Sequence, residues 1–172
     1  MSMKRLLSRW LPAVFFGGSG AYWERRYALG GDSGAGSYGR AAEYKAAFLN
    51  AFVADHAISG IIEFGCGDGH QLSMARYPRY LGVDVSPSAV KRCRDLFSGD
   101  PTKAFVTSGE YAGESAELAL SLDVLFHLVE DATYRDYLRT LFRSATGYVI
   151  IYSTSTGQDV RTMRHVLHRP VE

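Results

Sequence analysis

The chain has 172 residues, of which 47% are hydrophobic and 22% charged, with a formal net charge of +1 at pH 7. This length is sufficient for one domain with a sizeable core, and the near-neutral charge argues against a nucleic acid as the main partner. The sequence contains no apolar run as long as a membrane span. Cys66 and Cys93 form neither a metal-binding spacing nor a disulfide framework, so we expect no metal and a reducing, cytoplasmic location.

Residues 1–39 predict an arm followed by a glycine-rich loop. Three basic residues precede a short apolar stretch, Trp10–Phe16, an arrangement that faintly resembles a signal peptide. Because this stretch is short and contains Pro12, a loosely docked arm is the favoured interpretation. Tyr22–Leu29 predicts a short aromatic helix, and Gly30–Gly39, with five glycines in ten residues, predicts a loop.

From residue 40 onward the chain alternates between helical and strand patterns. Arg40–His56 predicts a helix, since Tyr44, Phe48 and Phe52 recur every four residues. This alternation predicts an α/β fold with a doubly wound, mostly parallel sheet. The further predicted elements are a strand over Ile61–Phe64, a brief helix over His70–Arg76, a strand over Tyr80–Val85, a helix from the N-cap Ser86 and Pro87 to Phe97, strands over Lys103–Val106 and Glu117–Leu122, an amphipathic helix over Glu130–Phe142, a strand over Tyr148–Ser153 and a helix over Asp159–Leu167.

Two glycine clusters compete as the cofactor loop. Gly34–Gly39, GAGSYG, matches the dinucleotide fingerprint G-x-G-x-x-G, but no predicted strand precedes it. Glu63–Gly69, EFGCGDG, overlaps the end of a predicted strand, and Asp84 lies near the end of the next one. Ligands of doubly wound sheets bind beyond the carboxyl ends of the strands, so we predict that EFGCGDG is the cofactor loop. Asp84 can accept hydrogen bonds from both hydroxyls of a ribose.

The pattern E-x-G-x-G-x-G in Glu63–Gly69 resembles motif I of the class I S-adenosylmethionine (AdoMet) methyltransferases. YLGVDVSPSAV, residues 80–90, resembles their second motif, and LALSLDVLFHLVED, residues 118–131, resembles the segment after their fourth strand in the small-molecule subgroup. The resemblance extends from about Glu43 to Ser153. It implies a Rossmann-like methyltransferase fold, AdoMet as cofactor and S-adenosylhomocysteine as product. The leader at residues 22–39 resembles one of some bacterial methyltransferases of saccharide pathways, so a saccharide or biosynthetic intermediate is a candidate acceptor.

The motifs and the resemblance together indicate ten cofactor-binding residues. The N–H groups of the glycine loop can take the carboxylate of AdoMet, and Glu63 can attract its amino group or brace the loop. Asp68 can take either role or begin a helix. The resemblance implies an adenine contact for Glu110, with a solvated loop acid as the alternative. The predicted cofactor-binding residues are Glu63, Gly65, Cys66, Gly67, Asp84, Val85, Glu110, Ser121, Leu122 and, from the aromatic helix, Tyr22.

His127 is the predicted catalytic residue, because it follows the fourth strand on the side facing the acceptor. Methyl transfer is an in-line displacement in which the protein mainly aligns the nucleophile, and a general base is needed only for a protonated acceptor. Asp123 is the second candidate for this role. A histidine that packs against a helix is the alternative interpretation of His127.

The aromatic helix and the GAGSYG loop together resemble a lid. Tyr22, Trp23, Tyr27 and Tyr38 can cover a cofactor, and an aromatic face attracts a sulfonium through its π electrons. A linker with aromatic residues packed on the sheet edge is the alternative. We therefore expect an arm and lid over residues 1–39 and a methyltransferase core over residues 40–172.

Nineteen residues follow Ser153. The family completes a seven-stranded sheet with a C-terminal hairpin. We therefore expect five strands here, with the hairpin either absent or belonging to a longer protein of which this chain is a part. Two other functions stay open: an oxidoreductase that binds NAD, which His70 weakens by breaking the dinucleotide pattern, and a non-catalytic AdoMet-binding module. The sequence indicates a small-molecule acceptor, no nucleic acid and no membrane span, and it contains no signal for an oligomeric state.

Overall fold

Five parallel strands form the centre of the computed structural model, which describes residues 17–170. They are β1 (Ile61–Phe64), β2 (Tyr80–Asp84), β3 (Lys103–Thr107), β4 (Ala116–Leu122) and β5 (Ala145–Tyr152). Their order in the sheet is β3-β2-β1-β4-β5, and each neighbouring pair is parallel. The winding reverses between β1 and β4, so a crevice opens there at the carboxyl ends of the strands. The predicted doubly wound fold is confirmed.

Within residues 17–170, four α-helices flank this sheet: α1 (Ser19–Ala28), α2 (Gly39–Asp55), α3 (Pro87–Leu96) and α4 (Asp131–Arg143). The start of α3 is as predicted, since Ser86 Oγ accepts a hydrogen bond from Ala89 N at 3.1 Å and Pro87 is the first helical residue. None of the helices within residues 17–170 is long and apolar enough to cross a lipid bilayer. The predicted arm over residues 1–16 lies outside the described residues.

The buried face of α2 is aliphatic rather than aromatic. The repeat that predicted this helix is largely exposed, with Tyr44 at 66% and Phe48 at 52% of their full accessibility. Ala42, Leu49 and other small or aliphatic residues face the sheet instead, because small side chains let a helix approach its neighbours closely. The same buried face carries Lys45, which the periodicity did not single out.

Two predicted helices are wrong. The region His70–Arg76 contains only a three-residue 3₁₀ helix, Leu72–Met74, so no regular helix follows the glycine loop. The region Asp159–Leu167 forms strands β6 (Val160–Met163) and β7 (Val166–His168), which pair in antiparallel fashion as a separate two-stranded sheet. Valine and threonine favour extended backbone in this segment. A C-terminal hairpin is therefore present, although it does not join the five-stranded sheet.

Candidate active site

The loop between β1 and β2 makes close contacts on both sides. Gly65 and Gly67 have φ angles of 85° and 59°, in a backbone region that residues other than glycine rarely adopt. A Cβ atom at Gly65 would overlap Val124, which follows β4, and one at Gly67 would overlap Ser33 in the glycine-rich segment. The two glycines thus allow three separate parts of the chain to meet at the end of β1.

A cavity of about 490 Å³ lies at this meeting point. The ends of β1, β2 and β4, the glycine loop, α1 and one face of α4 all contribute to its wall. Its volume is within the range of small-molecule sites. Among the described residues, no lysine or arginine lines it, whereas five carboxylates do: Glu63, Asp68, Asp84, Asp123 and Asp136.

Asp84 ends β2 and is only 6% exposed. Its Oδ2 accepts a hydrogen bond from Gly67 N and its Oδ1 accepts one from Ser86 N, both at 2.9 Å. Burial raises the pKa of Asp84 to about 6, although these backbone hydrogen bonds favour the ionised form. An ionised carboxylate offers about four acceptor positions, and the backbone of Val85 is a further donor, so some acceptor capacity remains for a ligand.

Glu63 lies one residue before the end of β1 and is buried beneath the loop. Its Oε2 accepts a hydrogen bond from the hydroxyl of Tyr80 in β2 at 2.7 Å. Burial raises the pKa of Glu63 to about 7, and the Tyr80 hydrogen bond opposes this shift only in part. Glu63 also lines the cavity, so both roles expected from the sequence are compatible with its position.

Asp68 joins the glycine loop to the glycine-rich segment. Its Oδ2 accepts hydrogen bonds from Ser33 N at 2.9 Å and from the Tyr38 hydroxyl at 2.7 Å, and its own N–H donates to Ser33 Oγ at 3.0 Å. Burial disfavours the charge, but these hydrogen bonds outweigh it and lower the pKa of Asp68. These hydrogen bonds hold the glycine-rich segment, which contains GAGSYG, against the Glu63–Gly69 loop.

The N–H groups of the glycine loop all have acceptors within the protein. Those of Gly65 and Cys66 donate to Val83 O, and that of Gly67 donates to Asp84. The N–H of Asp68 donates to Ser33, and that of Gly69 to Cys66 O. The expected capture of a ligand carboxylate by these groups therefore requires that they exchange partners first.

His127 ends a 3₁₀ helix, Leu125–His127, just after β4 and lines the cavity. Burial lowers its pKa to about 4, so the ring is neutral near pH 7. Its Nδ1 lies 3.1 Å from the carbonyl oxygen of His165 in the turn between β6 and β7. A carbonyl only accepts, so Nδ1 carries the proton and Nε2 is left as an acceptor.

Asp123, the second candidate base, has a φ of 59°, which is unusual for a residue other than glycine. Its Oδ2 forms an ion pair with the ammonium of Lys45 on α2, whose side chain is only 2% exposed. The Lys45 ammonium also lies 5.1 Å from the ring centre of Tyr152. Asp123 is consequently a fixed anion at the end of β4.

The structure brings most of the predicted cofactor residues to the cavity, but three of them lie elsewhere. Glu63, Gly65, Cys66, Asp84, Val85 and Leu122 line the cavity, and Gly67 lies in the adjoining loop. Tyr22 packs outside the lining, stacked on His165 with ring centres 4.1 Å apart. Glu110 is exposed and accepts hydrogen bonds from Thr107 and Arg94. Ser121 is buried behind the cavity at the Tyr137 hydroxyl, 2.7 Å away.

Three functional candidates were not predicted from the sequence. The helical periodicity did not indicate that Lys45 is buried, and His165 lies in a segment predicted to be a helix. Gln71 lines the cavity, and its Oε1 is buried without a hydrogen-bond partner. Such an orphan acceptor indicates a missing donor.

These features fit AdoMet better than a dinucleotide. AdoMet carries an ammonium and a sulfonium, which suit the carboxylates of the lining and the orphan Gln71 Oε1. A dinucleotide presents a pyrophosphate, which such folds bind at a helix N-terminus. Here the loop leads only into a three-residue 3₁₀ helix.

A family model described as a methyltransferase domain matches residues 62–150, just over half of the chain. No curated protein sequence matches significantly. Among solved structures, the methyltransferase domain of bacterial CtHen1-CN has a TM-score of 0.53 and 19% identity, over 63% of this chain and 64% of that domain.

Two further structures are similar. The N-methyltransferase NodS from Bradyrhizobium japonicum WM9, solved with S-adenosylhomocysteine, has a TM-score of 0.63 and 18% identity, over 77% of this chain and 71% of NodS. The amino pentose methyltransferase CalS10 from Micromonospora echinaspora, solved with AdoMet, has a TM-score of 0.59 and 16% identity, over 69% of this chain and 53% of CalS10. The chain thus spans between 53% and 71% of the length of these three structures.

At these identities the solved structures establish the fold, and the family model identifies the group within it. The matched region runs from Ile62 in β1 to Ile150 in β5 and includes the glycine loop, Asp84 and the segment after β4. The NAD-binding alternative is not favoured by any of these matches. On this basis the chain belongs to the AdoMet-dependent methyltransferases.

Proposed function

We propose that the chain moves the methyl group of AdoMet to a small-molecule acceptor. The observation that carries this proposal is the carboxylate-lined cavity of about 490 Å³ at the switch point of the sheet, bordered by α1 and the glycine-rich segment. A concave site of this size favours a small molecule over a macromolecular surface. The similarity to CalS10, an amino pentose methyltransferase, adds support for a saccharide-like acceptor.

Asp84 is the proposed ribose ligand, because its carboxylate lies at the end of β2 and retains acceptor capacity. Val85 and Ser108, which follow β2 and β3, then lie on the adenine side of the cavity. Glu63, Asp68 and the orphan Gln71 Oε1 supply acceptors for the amino end. When bound, AdoMet supplies a methyl group that is already activated by the positive sulfur.

His127 is the proposed base, acting through Nε2 on a hydroxyl of the acceptor. A pKa of about 4 makes it a weak base, so it orients the hydroxyl at first and holds the proton only as the oxygen becomes more acidic. Its contact with the His165 carbonyl keeps the ring in the required tautomer. Trp23 and Tyr27 cover the cavity and exclude water from this reaction.

Calorimetric titration of the protein with AdoMet, S-adenosylhomocysteine and NAD tests the proposal. We expect saturable binding of the first two and none of NAD, followed by release of S-adenosylhomocysteine when a panel of small neutral acceptors is added. Tight binding of NAD without AdoMet would contradict the site. Binding of AdoMet without turnover on any acceptor would instead favour a non-catalytic module.

Residues 19–38 are proposed to form a lid that Asp68 holds shut. Replacing Tyr38 with phenylalanine removes the hydroxyl donated to Asp68 but keeps the ring stacked on His70, 4.1 Å away. A hydrogen bond to a charged group contributes about 1.5–3 kcal/mol, so we expect S-adenosylhomocysteine to dissociate at least about tenfold faster in stopped-flow experiments. Association should change little.

Tyr44→Phe on the exposed face of α2 is the matched control and should leave both rate constants unaltered. Equal dissociation from Tyr38→Phe and the unmodified protein would show that Asp68 does not hold this segment closed.

A further inference from the structure

A second cavity of about 270 Å³ adjoins the first on the side away from Asp84. It lies between α1, the glycine-rich segment, the residues after β4 and the β6–β7 hairpin. The two cavities share four lining residues, and these include both candidate bases: Trp23, Ser33, Asp123 and His127. A ligand in the second cavity would therefore contact the same His127 that lines the first cavity.

The GAGSYG motif has a structural purpose at this cavity. Gly34, Ala35 and Gly36 form part of its wall. A Cβ atom at Gly36 would stand only 2.6 Å from Asp123 Oδ2, so a side chain there would push into the carboxylate. Glycine at position 36 lets the segment approach the Lys45–Asp123 ion pair closely.

The fixed charges of the second cavity are already neutralised within the protein. Arg26 donates to Asp32 Oδ1 at 2.8 Å, and Asp123 is paired with buried Lys45. The two histidines of the lining, His127 and His165, both have a pKa that burial lowers, which favours the neutral imidazole. A charged ligand would find no unpaired countercharge here.

The rest of the lining combines ring faces with hydrogen-bonding groups. Trp23, Phe126 and the stacked pair of Tyr22 and His165 supply flat apolar surface. Asp123 and His127 Nε2 supply acceptors at the boundary between the cavities. Ring faces with a few placed polar groups are typical of sites for compact polar ring compounds.

We propose that the second cavity binds the methyl acceptor and that this acceptor is an uncharged ring compound carrying hydroxyl groups. The inference rests on the proposed function, since the acceptor has to meet the methyl group held in the first cavity. A hydroxyl oxygen forms the new bond to the methyl carbon while the carbon–sulfur bond breaks and sulfur keeps the electron pair. The hydroxyl proton passes to His127 Nε2, so the positive charge that leaves sulfur resides on the imidazole.

The test uses Trp23, at the shared wall, as a fluorescent reporter. The chain contains two tryptophans, and Trp10→Phe leaves Trp23 alone. In the presence of saturating S-adenosylhomocysteine, the probes are glucose and myo-inositol, with glucuronate and glucosamine as charged counterparts of glucose. We expect a saturable change with a neutral probe and weaker binding of both charged counterparts.

Ala35 lines the second cavity but not the first, and Ala35→Phe adds a ring to its wall as a blocking variant. It should weaken binding of the neutral probe at least about tenfold and leave the affinity for S-adenosylhomocysteine unchanged. Ala54→Phe on the exposed side of α2 is the matched control and should alter neither affinity. Met163→Trp enlarges the wall from the hairpin side and is the second blocking variant, used also if Ala35→Phe does not fold. Because it adds a tryptophan, its probe binding is measured by calorimetry.

Each contrary result has a distinct meaning. No response to any neutral probe, with S-adenosylhomocysteine still bound, would overturn the second-cavity assignment and leave the proposed function intact. Tighter binding of glucuronate or glucosamine than of glucose would overturn the uncharged class. If both blocking variants keep their affinity for the neutral probe, the acceptor binds elsewhere. If the unmodified protein does not bind S-adenosylhomocysteine, both proposals are overturned.

Discussion

Replacing Asp84 with alanine is expected to weaken AdoMet binding by at least about tenfold, because hydrogen bonds to a charged group contribute roughly 1.5–3 kcal/mol each. Calorimetry on the purified variant measures the effect. Asp136→Ala is the matched control: Asp136 also lines the cavity, but its side chain is 72% exposed on α4, where water screens its charge. Its loss should change the affinity little.

Asp84 also braces the protein, which the sequence did not indicate. The alanine variant leaves the N–H groups of Gly67 and Ser86 without their acceptor, so the glycine loop should loosen. Urea unfolding of the variant therefore has to accompany the titration. An unaltered AdoMet affinity in a folded Asp84→Ala protein would refute the ribose assignment.

The raised pKa of Asp84 makes the same site sensitive to pH. Its pKa in the folded, ligand-free protein is about 6, against an ordinary value of 3.8. A raised pKa favours the folded state below pH 3.8, and this contribution is lost as pH rises towards 6. AdoMet binding depends on pH in the opposite direction: affinity should rise with pH, because ribose hydroxyls donate more strongly to the ionised carboxylate. At pH 5 about one tenth of Asp84 is ionised, so the AdoMet affinity should be at least about tenfold lower there than at pH 7.5, with Glu63, whose pKa is about 7, acting in the same direction.

This effect can be measured as the difference between the melting temperatures with and without S-adenosylhomocysteine, from pH 5 to pH 7.5. The gap between them should widen as pH rises, and Asp84→Asn should reduce this widening to the part that Glu63 contributes. A gap that stays constant in the unmodified protein would show that Asp84 does not titrate with ligand binding.

His127→Asn is expected to lower turnover by about 10²–10⁴-fold while AdoMet affinity stays within about twofold. The asparagine amide reaches the position of Nδ1 and preserves the donor to the His165 carbonyl, but it removes the acceptor at Nε2. Steady-state turnover at saturating AdoMet, together with calorimetry, separates the two effects.

His127→Gln is the companion variant, since its amide oxygen can occupy the place of Nε2 and orient a hydroxyl without taking its proton. If His127 only positions the acceptor, the Gln variant should retain most of the activity. If His127 is a base, both variants should lose activity. Equal activity of Asn, Gln and the unmodified protein would make His127 a packing residue. Because its pKa is about 4, turnover at saturating AdoMet should show no loss attributable to His127 between pH 8 and pH 6.

Local patterns in the sequence were sufficient for the central fold and for the prediction of a cofactor loop. The Ser86–Pro87 helix start, the buried strand before Gly65 and the acid ending β2 are each encoded within a few neighbouring residues. Backbone conformation and turn chemistry depend on such near neighbours. The same locality explains why the sequence alone favours EFGCGDG over GAGSYG as the cofactor loop.

Contacts between residues far apart in the sequence determined the features that no local pattern predicts. Periodicity identified α2, but only packing selected the aliphatic face and buried Lys45 against Asp123, 78 positions away. His127 obtains its tautomer from a carbonyl 38 positions later, in a hairpin where a helix was predicted. Tyr22, Glu110 and Ser121 have plausible positions in the sequence but face other neighbours in space. The sequence by itself determined the five strands of the central sheet, the glycine loop after β1 and the acid that ends β2, because these depend on near neighbours. The Lys45–Asp123 ion pair, the contacts of Asp68 with the glycine-rich segment and the second cavity depend on side chains that only folding brings together.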